Sequence, residues 1–260
     1  PNLCESLLVT TSMPRVRDTG VEINQMAGLG TFASYQVVPE AAVVPIDKDI
    51  PFAQAALVGC GVTTGVGAVI NTAGVQPGTT VAVFGCGGVG LNCIQGAVIA
   101  GATTIVAVDL LQKKLELARE FGATHTVNAA KEDPVERIME LTGGKGAHYA
   151  FEAIGLVERP FVQSILCTRR RGITVWVGHA PFNTPVTIDA SDLKFEKTVI
   201  GSMYGSARPR IEFQRLLDLY KLGKLKLDEL ISVRFPLEQI NSAFEVLSNG
   251  EVARSVLYFD

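Results

Sequence analysis

The feature that most constrains this chain is a glycine-rich turn between two apolar segments. The stretch Val81-Ala-Val-Phe-Gly-Cys-Gly-Gly-Val-Gly90 begins as a short apolar strand and ends in a helical segment, and a second apolar, β-branched segment ends at Asp109. Gly85 permits a tight turn, Gly87 allows close approach of the backbone to a ligand, and Gly90 lets the helix pack against the strand. This order of strand, glycine turn, helix, strand and acid predicts a dinucleotide-binding βαβ unit.

The turn also predicts which dinucleotide binds. The N–H groups that open the helix at about Gly88 to Leu91 have no helical partner and attract an anion such as a pyrophosphate. Asp109 stands where a carboxylate would accept hydrogen bonds from both hydroxyls of an adenosine ribose, and it would repel a 2′-phosphate. The two leucines that follow it offer no arginine for that phosphate, so NAD is favoured over NADP. Alternatively, Asp109 caps the next helix, and one carboxylate can do both.

Composition excludes several classes of function. The net charge is −3 over 260 residues, of which 47% are hydrophobic, so neither a nucleic-acid partner nor an anionic membrane is indicated. No apolar run reaches the roughly 18 residues of a membrane span, and the N-terminus lacks an export signal. The five cysteines are irregularly spaced and form no CxxC pair, which is typical of a reduced, cytoplasmic protein.

The segment pattern predicts an α/β fold with a Rossmann doubly wound parallel sheet, because strands alternate with helices from residue 81 onward. We expect the NAD-binding Rossmann domain at residues 62–205. Residues 1–61 carry short β-like pieces at Phe32–Val38 and Ala41–Pro45 and predict a partial β-rich domain. Residues 206–260 continue past a complete nucleotide fold, so they are expected to return to the N-terminal part.

Several motifs resemble the zinc-dependent alcohol dehydrogenases of the medium-chain dehydrogenase/reductase family, in register from about Cys4 to the C-terminus. They are Gly30-Thr-Phe-Ala-Ser-Tyr-Gln-Val-Val38, Gly59-Cys-Gly-Val-Thr-Thr-Gly-Val-Gly-Ala68, Phe84-Gly-Cys-Gly-Gly-Val-Gly90, Phe121-Gly-Ala-Thr-His125, Phe151-Glu-Ala-Ile-Gly155 and Gly250-Glu-Val-Ala-Arg-Ser-Val-Leu257. The resemblance implies that residues 1–61 are the remnant of a GroES-like catalytic domain.

The resemblance also assigns roles to single residues. It implies that Cys60 is a ligand of the catalytic zinc, which would polarise the substrate oxygen; on its own, Cys60 would be interpreted as a small buried hydrophobe. Further roles implied are Thr64 beside the nicotinamide ring, Val89 at the pyrophosphate or the ring, Asp109 and Lys114 on the adenosine ribose, Val177 and Tyr204 at the carboxamide, and Arg254 near the pyrophosphate. Without the motif, Arg254 is equally compatible with a surface salt bridge.

Two zinc sites of the family are incomplete in this sequence. The family's first catalytic-zinc ligand and its GHE segment are absent, and the three histidines lie in or beside the nucleotide fold. Cys4 resembles the last of four cysteines that hold a structural zinc. We therefore expect the chain to lack the N-terminal third of the family's enzymes and to be inactive as given, since one cysteine cannot hold a tetrahedral zinc.

For the intact enzyme, the resemblance implies NAD-dependent, zinc-assisted oxidation of a small-molecule alcohol, or of the hydroxymethyl adduct of a thiol, to the aldehyde level. It also implies a homo-oligomer that pairs through the edge of the Rossmann sheet near Thr198–Tyr204. Two alternatives stay open. One is a zinc-independent reductase of the quinone reductase type, which usually lacks a cysteine at the position of Cys60. The other is a non-catalytic dinucleotide-binding module.

Overall fold

The computed structural model describes residues 2–3, 16–18, 20–23, 29–250 and 252–259. Its strands, β1 to β10, are Val16–Asp18, Val21–Ile23, Thr80–Phe84, Thr104–Asp109, His125–Asn128, Ala147–Glu152, Thr168–Trp176, Thr198–Gly201, Ile231–Pro236 and Arg254–Tyr258. Its helices, α1 to α7, are Phe52–Thr72, Gly88–Ile99, Gln112–Glu120, Pro134–Leu141, Glu158–Leu166, Pro209–Lys221 and Ile240–Ser248.

The central element is a six-stranded parallel sheet in the order β5-β4-β3-β6-β7-β8. The chain moves outward from β3 to β5, then returns to the other side of β3 and continues from β6 to β8. The strand order therefore reverses between β3 and β6, and in such sheets ligands bind outside the carboxyl ends of the strands at that point. This confirms the predicted Rossmann doubly wound parallel sheet.

The core lies on both faces of this sheet because neighbouring residues of a strand point to opposite sides. In β3, Val81 and Val83 join a large apolar cluster with α1, α2 and α6, whereas Ala82 and Phe84 join a smaller cluster with Ile138 of α4. All four of these β3 residues are 0–1% exposed. A strand covered on both faces must be apolar throughout, which explains the uninterrupted run that the sequence shows.

Helix α1 is the longest described helix, at 21 residues, and is apolar enough to meet the length and composition criteria for a membrane span. The expectation that no apolar stretch reaches such a length is therefore wrong. About 61% of its most apolar window is buried within the fold, as in the core helix of a globular protein. Glycines bring it close to α2: a Cβ at Gly96 would lie 3.0 Å from the Cβ of Val69.

The predicted strands at Phe32–Val38 and Ala41–Pro45 are wrong. Residues 32–39 form bends and irregular chain, and a single 3₁₀ turn spans Glu40–Ala42. Tyr35 is 93% exposed and Val37 is 97% exposed. Isolated β-like segments need a neighbouring strand to satisfy their backbone groups, and the described chain places none beside them.

The C-terminal part contacts residues 47–54. Strands β9 and β10 pair in parallel as a separate sheet. Lys221, at the end of α6, bonds the carboxylates of Asp47 and Asp49 at 2.7 and 2.9 Å, and the Gln54 amide donates to Asp228. These contacts tie residues 47–54 to the segment after α6. The domain boundaries after residues 61 and 205 stay a prediction.

Candidate cofactor site

The glycine turn has the geometry that the sequence predicts. Gly85 follows β3 with φ +92°, and its N–H donates to the Val108 carbonyl at 2.8 Å. A Cβ at Gly90 would overlap the carbonyl oxygen of Gly85, whereas a Cβ at Gly87 would meet no atom within 4 Å. Helix α2 starts at Gly88 with Gly87 as an N-cap that has no side chain. The turn therefore leaves open space at Gly87, where a ligand can reach the backbone.

Asp109 ends β4 beside this turn and accepts two backbone hydrogen bonds. Its Oδ2 accepts from the Cys86 N–H at 2.8 Å, and its Oδ1 accepts from the Leu111 N–H at 3.0 Å. The alternative that Asp109 caps the next helix is wrong, because the N-cap of α3 is Leu111 and no side chain caps that helix. Each carboxylate oxygen retains a second lone pair for another donor. Lys114, on α3, lies beside Gly250: a Cβ at Gly250 would be 3.3 Å from the Lys114 Nζ.

Arg254, the first residue of β10, brings a cation to the start of α2. Its guanidinium fills the space where a Cβ on either Gly61 or Gly88 would stand, and one of its nitrogens donates to the Ala253 carbonyl at 3.2 Å. Burial lowers the pKa of Arg254, and the neighbouring Cys60 partly offsets this. Within the described part of the chain no carboxylate forms an ion pair with it, so the surface salt bridge that the sequence left open is not observed.

Cys60 lies on α1 in a π-helical turn, Val58–Val62, and is exposed. The alternative of a buried hydrophobe is therefore wrong. Thr64 follows four residues later and is half-buried, so both side chains lie on one side of the helix. The Tyr204 hydroxyl donates to the Gly59 carbonyl at 2.6 Å. Burial raises the pKa of Tyr204 to about 12, with a further contribution from Cys60. The fold thus brings Cys60, Tyr204 and Arg254 together from three distant segments.

Tyr204 stands in an unusual backbone turn. It has φ +55°, and Gly205 and Ser206 follow with φ +64° and +51°. Left-handed residues other than glycine cost free energy and persist where the surroundings enforce them. Here a Cβ at Gly205 would overlap the Thr63 carbonyl oxygen, and the Asn71 amide donates to the Gly205 carbonyl at 3.2 Å. The turn is locked onto α1 beside the predicted nicotinamide position.

The described residues do not form a metal site. Among them, no group of three His, Cys, Asp or Glu side chains is placed to hold a metal ion. His125 and His148 lie in β5 and β6, and His179 is exposed beyond β7. Cys4, the predicted structural-zinc ligand, lies outside the described residues. Cys60 is therefore without a companion ligand set in the part of the chain that the structure describes.

Four cysteines are described, and all are free thiols. Cys86, Cys93 and Cys167 are buried, and burial raises the pKa of each thiol. A buried neutral thiol behaves as a small hydrophobe. These three residues are therefore core residues, and only the exposed Cys60 is available to a ligand.

One residue that the sequence interpretation did not assign to the site is Glu152, at the end of β6. Its side chain is 0% exposed, and its Oε1 accepts from the N–H groups of Ile154 and Gly155 at 2.8 and 2.9 Å. Burial raises the pKa of Glu152, and these backbone bonds partly offset the effect. The sequence carried a signal for it, because an apolar strand ends in a carboxylate here just as β4 ends in Asp109.

Comparison with known sequences gives consistent matches. The family model described as "Zinc-binding dehydrogenase" matches residues 88–221. The chain is 38% identical over 258 residues to "Alcohol dehydrogenase B" of Mycobacterium tuberculosis, covering 96% of this chain and 68% of that protein. It is 36% identical over 273 residues to the S-(hydroxymethyl)glutathione dehydrogenase of Paracoccus denitrificans, covering 99% of this chain and 72% of that protein.

Solved structures agree with the fold. An "Alcohol dehydrogenase zinc-binding domain protein" from Burkholderia ambifaria superposes with a TM-score of 0.80 at 37% identity, over 84% of this chain and 58% of that chain. The benzyl alcohol dehydrogenase of Acinetobacter calcoaceticus gives a TM-score of 0.80 at 32% identity, over 84% of this chain and 59% of that chain. The chain thus spans about three fifths of the length of these solved chains.

Proposed function

The chain belongs to the zinc-binding dehydrogenases of the medium-chain dehydrogenase/reductase family, and on that premise we propose that it binds NAD at the carboxyl edge of its six-stranded sheet. It then supplies the cofactor-binding part of an NAD-linked alcohol dehydrogenase. The relatives named as alcohol and S-(hydroxymethyl)glutathione dehydrogenases support alcohol oxidation as the reaction. The substrate class is a small alcohol, or a thiol adduct that carries a hydroxymethyl group.

The observation that carries this proposal is the position of the Arg254 guanidinium. It stands at Gly88, the first residue of α2, where the helix end already carries partial positive charge. A cation against the positive end of a helix is unfavourable unless an anion neutralises both. A pyrophosphate supplies that anion, and the open space at Gly87 lets it approach the backbone.

The adenosine end of the cofactor is assigned to Asp109 and Lys114. Asp109 already orders the glycine turn through the Cys86 N–H, so the same carboxylate that receives the ribose hydroxyls also fixes the pyrophosphate loop. No arginine stands among the residues directly after it, where the exposed Leu110 and Leu111 lie. This environment supports NAD in preference to NADP.

The nicotinamide end is assigned to Thr64, Val177 and Tyr204, with Val89 between the two ends. Bound at these residues, NAD would supply the acceptor for a hydride from the alcohol carbon. The residues of this chain position the ring: the left-handed turn at Tyr204 packs against α1, and the Val177 carbonyl can accept from a carboxamide, since the Val177 N–H already donates to the Glu152 carbonyl. We assign Thr64 to the hydroxyl path by which the alcohol proton leaves.

Zinc enters the proposal only through Cys60. A catalytic zinc needs three protein ligands, and the described residues do not bring three together, so they do not fit the metal by themselves. No step proposed here passes through zinc. We also propose that two copies of the chain pair through the edge strand β8. For the four free thiols we propose a reducing, cytoplasmic setting.

The proposal is tested by the affinities for NAD and NADP, measured by calorimetry on the wild type and on D109N. We expect the wild type to prefer NAD and the variant to lose NAD affinity by about tenfold, the equivalent of one charge-assisted hydrogen bond. NADP affinity should hold or improve, because the repulsion is gone. D133N, which changes the N-cap of α4 far from the turn, is the matched control.

If D109N only loosened the glycine turn, the affinities for NAD and NADP would fall equally. An unchanged ratio of the two affinities would therefore contradict the role of Asp109. If the folded wild type bound neither cofactor, the proposed function itself would be wrong.

A further inference from the structure

Glu152 is a buried carboxylate at the end of β6. Within the described part of the chain it forms no ion pair, and its Oε2 is buried without a hydrogen-bond partner. Burying an ionisable group in this way costs free energy of folding. The two backbone N–H groups on Oε1 compensate only part of that cost.

Glu152 joins two segments of backbone. Its side-chain Oε1 holds the turn after β6 through Ile154 and Gly155. Its main-chain carbonyl accepts from the N–H groups of Val177 and Gly178, at 2.8 and 2.9 Å, just beyond β7. One residue therefore bonds the ends of two neighbouring strands with four hydrogen bonds.

The two segments fit together without space for a side chain. Gly155 has φ +77°. A Cβ at Gly178 would lie 2.5 Å from the Glu152 Oε2 and 2.7 Å from the Gly155 Cα. Because the contacts are between backbones, they transmit any displacement of the turn directly to the chain at Val177 and Gly178.

This junction forms one wall of the crevice between β3 and β6. The Ala153 N–H donates to the Phe84 carbonyl at 2.9 Å, immediately before the glycine turn, and a Cβ at Gly85 would lie 2.6 Å from the Ile154 side chain. Asp109 stands on the other side of β3, at the end of β4. The Glu152 junction therefore belongs to the half of the crevice that is assigned to the nicotinamide.

We propose that Glu152 is a positioning residue for the nicotinamide half of the cofactor crevice, acting through the Ile154–Gly155 turn and the main chain at Val177 and Gly178. This inference rests on the proposed function, because it deepens the assignment of that crevice to NAD. Glu152 does not touch the cofactor in this arrangement. Its effect is on the backbone that does.

The test compares the affinities for NAD and for ADP-ribose, which keeps the adenosine and pyrophosphate but lacks the nicotinamide. E152D shortens the side chain by one methylene and withdraws Oε1 from the two N–H groups. We expect NAD affinity to fall about tenfold and ADP-ribose affinity to stay within about twofold. E152Q keeps a carbonyl oxygen in the place of Oε1 and should restore the affinity for NAD.

E136D makes the same change on an exposed residue of α4 and should alter neither affinity. If E152D does not fold, E152A makes the same comparison. Independently, amide hydrogen exchange in the wild type without cofactor should show protection at Ile154 and Gly155, and fast exchange there would overturn the inference. Equal losses of NAD and ADP-ribose in E152D, or no loss of either, would also overturn it. If the wild type bound neither NAD nor ADP-ribose, the proposed function would be wrong instead.

Discussion

Gly87 and Gly90 stand three residues apart in the same turn, but they serve different purposes. At Gly90 a side chain would meet the Gly85 backbone, which cannot rotate away, whereas the space at Gly87 is empty and its φ of −77° suits any L-residue. Gly90 is therefore required for folding, whereas Gly87 tolerates a side chain in the fold itself. Gly87 is required only if a ligand occupies the space beside it.

We accordingly expect opposite results from two alanine variants. G90A should lower the free energy of unfolding by about 3 kcal/mol or more, as overpacking against backbone does. The free energy of unfolding of G87A should stay within about 0.5 kcal/mol of the wild-type value, yet G87A should bind NAD at least about tenfold more weakly. Urea denaturation and calorimetry check these values. Full NAD affinity in G87A would argue against a pyrophosphate at this turn.

A second residue-scale prediction concerns His148. The Thr80 N–H donates to its Nδ1 at 3.1 Å, and burial, with a smaller contribution from Arg169, lowers the pKa of His148. The unfolded chain therefore takes up this proton first as the pH falls below about 6.5. The stability that the neutral imidazole contributes is fully present above that pH and is lost as the pH falls towards the folded pKa.

In H148N the free energy of unfolding should fall less as the pH is lowered, because the asparagine amide oxygen still accepts from Thr80 but does not titrate. The measurement is the free energy of unfolding in urea between about pH 7.5 and pH 5. H179N, at an exposed histidine, is the control and should follow the wild type. If the free energy of unfolding of H148N fell with pH as steeply as that of the wild type, His148 would not be the group responsible.

At the scale of elements, β8 has one side without a strand partner among the described residues. It pairs with β7 on one side only, three of its four residues are exposed, and Ile200 is 40% exposed. An open edge that carries an apolar residue is a place where another strand can pair, and lysine at such an edge prevents pairing. This supports the proposed association of two copies through β8.

I200K should therefore convert a wild-type dimer to monomers, as measured by sedimentation equilibrium. L222K places the same lysine on an exposed leucine, 71% accessible, at the end of α6, and should leave the dimer intact. A wild type that is monomeric at micromolar concentration, or an I200K variant that stays dimeric, would exclude this edge as the interface.

At the scale of the whole molecule, the cofactor crevice and the metal ligands differ in completeness. The crevice is built from β3, β4, β6, β7 and α2, all of which are described, whereas Cys60 lacks companions among the described residues. We expect the 260-residue chain to bind NAD and to be stabilised by about 2.7 kcal/mol at a cofactor concentration of 100 times Kd. We also expect no reduction of NAD with ethanol.

Thermal unfolding with and without NAD, zinc analysis of the purified chain and an absorbance assay for NADH check this prediction. Retention of about one zinc per chain together with ethanol-dependent NADH formation would contradict it. Reduction of a quinone or an enone after chelation would favour the zinc-independent reductase that the sequence left open.

The sequence by itself determined the doubly wound sheet and the glycine turn, because both depend on local patterns: a β-branched apolar run for each buried strand, and glycines where the backbone must turn or approach. Only the tertiary structure decided the rest. It placed the Arg254 guanidinium, for which the family resemblance implied only a position near the pyrophosphate, at Gly88 across about 165 residues of sequence. It also bonded Glu152 to two strand ends and left residues 32–39 without strand partners in the part of the chain that the structure describes. Contacts between distant segments depend on how whole elements pack, and no local pattern encodes them.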